Sequence, residues 1–144
     1  MSRLARAEYE PFKSLRHLFL VGDLQRRNPH PFVRDSRLEV ILCFYNPGDD
    51  GLPHWHPEVT EYEFVLEGEI GYLNTATGET EWFNAGDLRC LPAGVCVQRM
   101  VRRAARTLAI KVPSNAEKIH CAECSRACAR RVTPCLQEAA CESR

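Results

Sequence analysis

The chain lacks several things, and each lack removes a class of function. It has no net charge, since 19 lysines and arginines meet 19 aspartates and glutamates. That balance gives no electrostatic pull toward nucleic acid or an anionic membrane, and no DNA-reading element is visible. No apolar run approaches the length of a membrane span. The opening residues, MSRLARAEYEPFK, carry charges where a secretion signal needs its apolar segment, so the expected compartment is the cytoplasm. The chain is also short: 144 residues predict one domain with short extensions. Within it, 44% hydrophobic residues support a core, and 26% charged residues are ordinary for a soluble protein.

Cysteine, by contrast, is abundant. In a reducing compartment eight cysteines read first as metal ligands, reactive thiols or buried apolar residues rather than disulfides. Cys43, Cys90 and Cys96 are scattered, whereas Cys121, Cys124, Cys128, Cys135 and Cys141 crowd the last 24 positions.

The middle of the chain reads as short strands. LFLV at 18–21 ends at Gly22-Asp23, and QRRNPHPFVRDS after it reads as loop, with His30 between two prolines as an exposed loop residue. LEVILCFY at 38–45 is rich in β-branched and aromatic residues and stops at Asn46-Pro47-Gly48. EYEFVLEGEIGYLN turns near Glu67-Gly68. Further turns at Thr77-Gly78 and at Asn84 to Asp87 lead into LRCLP, VCVQRMV at 95–101 and TLAIKV at 107–112. Strands of this length and spacing, joined by Gly, Asn and Asp turns, indicate an all-β sandwich or barrel.

The stretch that carries chemistry is GDDGLPHWHPEVTEYEFVLEG, residues 48–68. If residues 54–56 are extended, His54 and His56 point to one face and Trp55 to the other. Pro57 to Thr60 suffice to turn the chain, and a strand opening at Glu61 and folded back antiparallel then sets a carboxylate beside the two imidazoles. Two neutral nitrogens and a carboxylate suit a divalent transition metal; iron, manganese, nickel, zinc and cobalt all tolerate this set.

The spacing Gly48-x5-His54-x-His56-x4-Glu61-x6-Gly68 resembles the first motif of the cupin superfamily. The second motif is matched by Gly86, Pro92 and Gly94, but Val97 stands where that motif places a histidine. The resemblance covers roughly residues 36–112. It implies a small antiparallel β-barrel, a double-stranded β-helix, commonly paired as a homodimer. It does not imply one chemistry, because one fold hosts many functions. The expected layout is an N-terminal arm and first strand over 1–35, a barrel over 36–112 and a Cys-rich tail over 113–144.

Parity extends the site. Glu63 shares the face of Glu61, and Arg99 shares that of Val97, so both are expected inside the barrel. A buried carboxylate and guanidinium are costly unless paired or ligand-bound. One reading makes Glu63 a proton-transfer group and Arg99 an anchor for an acidic substrate. The other makes them a structural ion pair, or turns one outward at a bulge.

Two terminal segments remain. In the arm, Ser2 is a candidate cap for a short helix that Pro11 interrupts. In the tail, Ser114 followed by Glu117 has the spacing of a capping box and predicts a helix over EKIHCAECSRACARRV, with a second short helix after Thr133-Pro134. On the first helix Cys121, Cys124 and Cys128 share a face beside His120, with Cys135 or Cys141 approaching from the second. Four of these satisfy a structural zinc ion. Thiols packed as small apolar residues, or disulfides formed in air, are the alternatives.

Three functional classes follow: a metal-dependent enzyme on a small anionic molecule, a non-catalytic ligand, metal or redox sensor, and a metal-free isomerase or epimerase working by acid–base groups. The expected partners are a small-molecule ligand and a second copy of the chain.

Overall fold

The computed structural model describes residues 3–24, 28–115 and 117–120. The N-terminal arm makes one helical turn, α1 (Arg6–Tyr9), which tightens into a 3-10 turn over Glu10–Phe12. The arm is helical later than a Ser2 cap predicts; Ser2 lies outside the described residues, and the Ala5 N–H donates to the Glu8 carboxylate at 2.6 Å. Phe12 then packs on His30, their ring centroids 5.6 Å apart. His30 is therefore buried rather than exposed, and its Nδ1–H donates to the Pro31 carbonyl at 2.8 Å.

The other regular elements among the described residues are strands: β1 (His17–Gly22), β2 (Val33–Arg34), β3 (Glu39–Tyr45), β4 (His54–Trp55), β5 (Thr60–Glu67), β6 (Glu69–Asn74), β7 (Thr80–Asn84), β8 (Leu88–Leu91), β9 (Val97–Met100), β10 (Ala105–Val112) and β11 (Ile119–His120). They form two sheets, ordered β2-β1-β3-β10-β5-β8 and β11-β4-β9-β6-β7. Among the described residues only β1 and β2 pair in parallel; the other pairings are antiparallel. This is the all-β barrel that the strand spacing and the motifs lead one to expect.

One core joins the sheets. Ile41, Cys43, Tyr45, Val65, Leu91 and Ala109 come from the first sheet, and Ile70, Tyr72 and Val97 from the second. Strict alternation puts them there. Along β5, Glu61, Glu63 and Val65 are buried while Tyr62, Phe64 and Leu66 face out. Among the described residues no helix is long and apolar enough to cross a membrane.

Two expectations are overturned. First, the His54 and Glu61 strands are not neighbours: β4 pairs with β9 and β11, whereas β5 pairs with β8 and β10. Pro57 to Val59 carry the chain from one sheet to the other, so the carboxylate meets the imidazoles across the barrel interior. Second, the described start of the tail is not helical. Ile119 and His120 extend as β11, in register with Trp55 and His54. The Glu117 N–H goes to the Asn115 side chain at 2.8 Å, and the Ser114 hydroxyl accepts the Asp23 N–H at 2.8 Å. Ladder bonds to β4 replace the bonds a helix would have made.

Candidate functional site

His54 and His56 bracket the outward Trp55 and are both buried, with ring centroids 5.6 Å apart and planes at 84°. The Nδ1–H of His54 donates to the Leu52 carbonyl at 3.0 Å, and that of His56 to the Glu117 carbonyl at 2.5 Å. With Nδ1 carrying the hydrogen, each Nε2 presents a lone pair. Nε2 of His56 is buried with no hydrogen-bond partner and lies 3.9 Å from Glu61 Oε2. Burial, reinforced by Lys118, pushes His54 down to about 3. Burial and then Lys111 likewise lower His56. Both rings are neutral at physiological pH, the state in which imidazole binds metal.

Glu61 and Glu63 face them from β5. Burial alone would raise Glu61, but Arg89 and Lys111 outweigh it and hold the carboxylate at about 2. Nη2 of Arg89 donates to Glu61 Oε1 at 2.5 Å and to Glu63 Oε2 at 3.0 Å, while the guanidinium lies 3.8 Å from the centre of the Tyr72 ring. Glu63 is fully engaged: Tyr72 Oη also donates to Oε2, and Thr107 Oγ1 to Oε1 at 2.6 Å.

Arg99 is buried, as its parity implies, but no Glu63–Arg99 pair forms. Its Nε and Nη2 donate to the Asp49 carbonyl at 3.2 and 3.0 Å, and its guanidinium lies over Tyr45 at 4.1 Å. The partner that Glu63 does have is Arg89, a residue outside the expected site. A signal existed: two inward carboxylates on β5 require an inward cation nearby, and Arg89 alternates in phase with the buried Leu91 on β8.

His54, both carboxylates, Arg99, Lys111 and Lys118 line a cavity of about 50 Å³, to which His17 of β1 adds a second imidazole. Lys118 reaches it from the rim, and partial burial, with Lys111 close by, lowers its pKa to about 8. A larger open depression of about 640 Å³, lined by Arg6, Tyr9, Phe44 and Leu66, lies elsewhere and contains none of these groups.

The donor set fits a divalent metal in kind. His54 Nε2, His56 Nε2 and Glu61 Oε2 each belong to a side chain whose other polar atom is anchored, by Leu52, Glu117 and Arg89 respectively. Outer anchoring of this sort is how proteins orient metal ligands. The set is wider than a closed coordination sphere, in which ligand atoms about 2.1 Å from the ion lie roughly 3 Å apart. Accordingly, among the described residues no three such side chains are gathered as tightly as a bound ion requires. Val97 lies directly across from His54 and offers only methyl groups.

Cys121, Cys124, Cys128, Cys135 and Cys141 lie outside the described residues. Among the scattered cysteines, burial, with Glu63 next, pushes the Cys43 thiol up to about 12. A thiol so disfavoured as thiolate is a packing residue.

Comparison with known proteins agrees with this architecture. No family model matches the chain. A germin-like protein 1-1 of Oryza sativa subsp. japonica is 43% identical over 68 residues, covering 45% of this chain and 32% of that protein. The chain thus spans less than a third of the length of the curated relatives it matches. A Klebsiella pneumoniae protein with a double-stranded β-helix domain superposes with TM-score 0.55 at 20% identity, covering 67% of this chain and 89% of that one. An RmlC-like cupin from Shewanella frigidimarina superposes with TM-score 0.51 at 20% identity, covering 57% and 71%.

Proposed function

Starting from a chain that has the cupin fold, the double-stranded β-helix, we propose that it binds a divalent transition metal in the barrel and, beside it, a small anion. The observation that carries this reading is His56: a buried, neutral imidazole whose Nδ1 is tied to a carbonyl and whose Nε2 is left without a partner. A buried lone pair without a partner costs free energy that a metal ion would recover. His54, His56 and Glu61 would hold the ion, and it would supply Lewis acidity to a bound oxygen. Arg89 keeps Glu61 ionised and turned by its other oxygen, and Glu63 with Tyr72 and Thr107 keeps Arg89 in place.

The anion follows from charge. Arg99, Lys111 and Lys118 line the cavity against Glu61 and Glu63, both already paired with Arg89 behind them, so the cavity is cationic before any metal enters. A dication adds to that excess, and a carboxylate or similar small anion relieves it.

Metal and anion binding are tested on the full chain with manganese(II), which thiolates bind poorly, and oxalate as the anion probe. The wild type is expected to take up one manganese(II) in the barrel. His56→Ala should weaken it by about 100-fold. Arg99→Gln should weaken oxalate while sparing the metal. Absence of manganese(II) binding by the wild type rejects the metal. A second, metal-free reading is favoured by one observation: Arg89 already neutralises Glu61 at 2.5 Å. Under it, oxalate binds without metal and still depends on Arg99.

A further inference from the structure

We propose that His120, on the C-terminal strand, is a ligand of the barrel metal and supplies the imidazole that position 97 lacks. The proposal rests on the metal reading above and extends it to a residue outside both barrel motifs.

The argument is one of register. His54 has two cross-strand neighbours: Val97 on β9 to one side and His120 on β11 to the other. Directly paired residues in a sheet project to the same face, so side chains 97, 54 and 120 form one row. Val97 ends that row in methyl groups, and His120 ends it in an imidazole. The His120 ring centroid is 5.9 Å from that of His54, close to the 5.6 Å between His54 and His56. Two imidazoles on one metal, each bound at about 2.1 Å, have centroids roughly 4.5–5.5 Å apart, so a shift of several tenths of an ångström closes either pair. Strand parity agrees: Lys118, two residues before His120, lines the cavity.

A second observation ties the strand to the site independently. The Glu117 carbonyl accepts the Nδ1–H of His56 at 2.5 Å, and it is this bond that leaves the buried Nε2 of His56 facing Glu61 without a partner. The same short segment therefore fixes one ligand and delivers another. His120 is exposed at the barrel rim, which suits a ligand that arrives last and closes the coordination sphere.

The test uses the full chain and manganese(II). Electron paramagnetic resonance titration gives affinity, and its pulsed form counts coordinated imidazole nitrogens. The wild type should show three. His120→Ala should show two and bind about 10-fold more weakly or worse. Adding Val97→His to His120→Ala should return the third nitrogen from the opposite flank of His54, which a merely misfolded variant would not do. Unchanged affinity and nitrogen count in His120→Ala overturns the proposal, and loss of binding in His56→Ala then leaves the metal reading standing. No binding by the wild type overturns both.

Discussion

Arg89 shows how much a single residue decides here. Glu61 and Glu63 are both buried, and the same guanidinium bonds to each. Removing it leaves two buried carboxylates with Lys111 as the remaining cation beside Glu61 and only hydroxyl donors on Glu63, which costs about 3 kcal/mol, the lower end for a broken buried pair. Arg89→Leu is therefore expected to lose about that much stability to urea at pH 7. The loss should depend on pH in a definite direction. Glu61 sits at about 2 in the fold, below the ordinary carboxylate value, so it contributes stability above about 4.5 that is lost as the pH falls toward 2. Without Arg89 that contribution shrinks or reverses, and protonation relieves the stranded charges. The gap between wild type and variant should narrow from pH 7 to pH 4. A gap that is small at pH 7, or constant with pH, would show that the carboxylates do not rely on Arg89.

Among elements, the connections carry the clearest contrast. Gly48 and Gly68, the two ends of the first motif, both have positive φ, at 83° and 77°. At Gly48 an added Cβ would meet nothing within 4 Å, but at Gly68 it would lie 1.9 Å from the Ala104 carbonyl oxygen. Gly48→Ala should thus cost only left-handed strain, about 1 kcal/mol. Gly68→Ala must also displace the link into β10 and should cost about 3 kcal/mol or more. Urea midpoints of the two variants would check this; equal costs would contradict the packing at Ala104. At the tail the same scale explains a misreading. Ser114 and Glu117 have capping-box spacing, yet cross-strand pairing to β4 and the His56–Glu117 bond hold 119–120 extended. A local pattern loses to a long-range partner when that partner satisfies the same backbone groups.

For the whole molecule, the outer face of the first sheet is unusually apolar. Tyr62, Phe64 and Leu66 on β5 are 38%, 39% and 36% exposed, and Leu88, opposite Phe64 in register, is 61% exposed. We propose that a second copy of the chain covers this row, since a contiguous apolar patch on an exposed face marks an association surface. Light scattering at micromolar concentration should find a dimer, and Phe64→Glu should dissociate it without unfolding the barrel. A wild-type monomer throughout would reject the idea.

Read alone, the amino-acid order determined most of the barrel strands through the turns between them, the inward parity of His54, His56, Glu61, Glu63 and Arg99, and the cupin-type motif with its vacancy at Val97. These are local properties: alternation has a period of two, and glycine and proline punctuate it. β2, inside a stretch that reads as loop, and β11, inside one that reads as helix, were not legible in that order. Tertiary structure alone decided which strands face which. It put His54 and Glu61 in opposite sheets, gave Glu63 to Arg89 rather than to Arg99, and brought Glu117 and His120 to the site from more than fifty residues away. Local order does not encode such meetings, because they depend on how a closing barrel brings distant strand edges together.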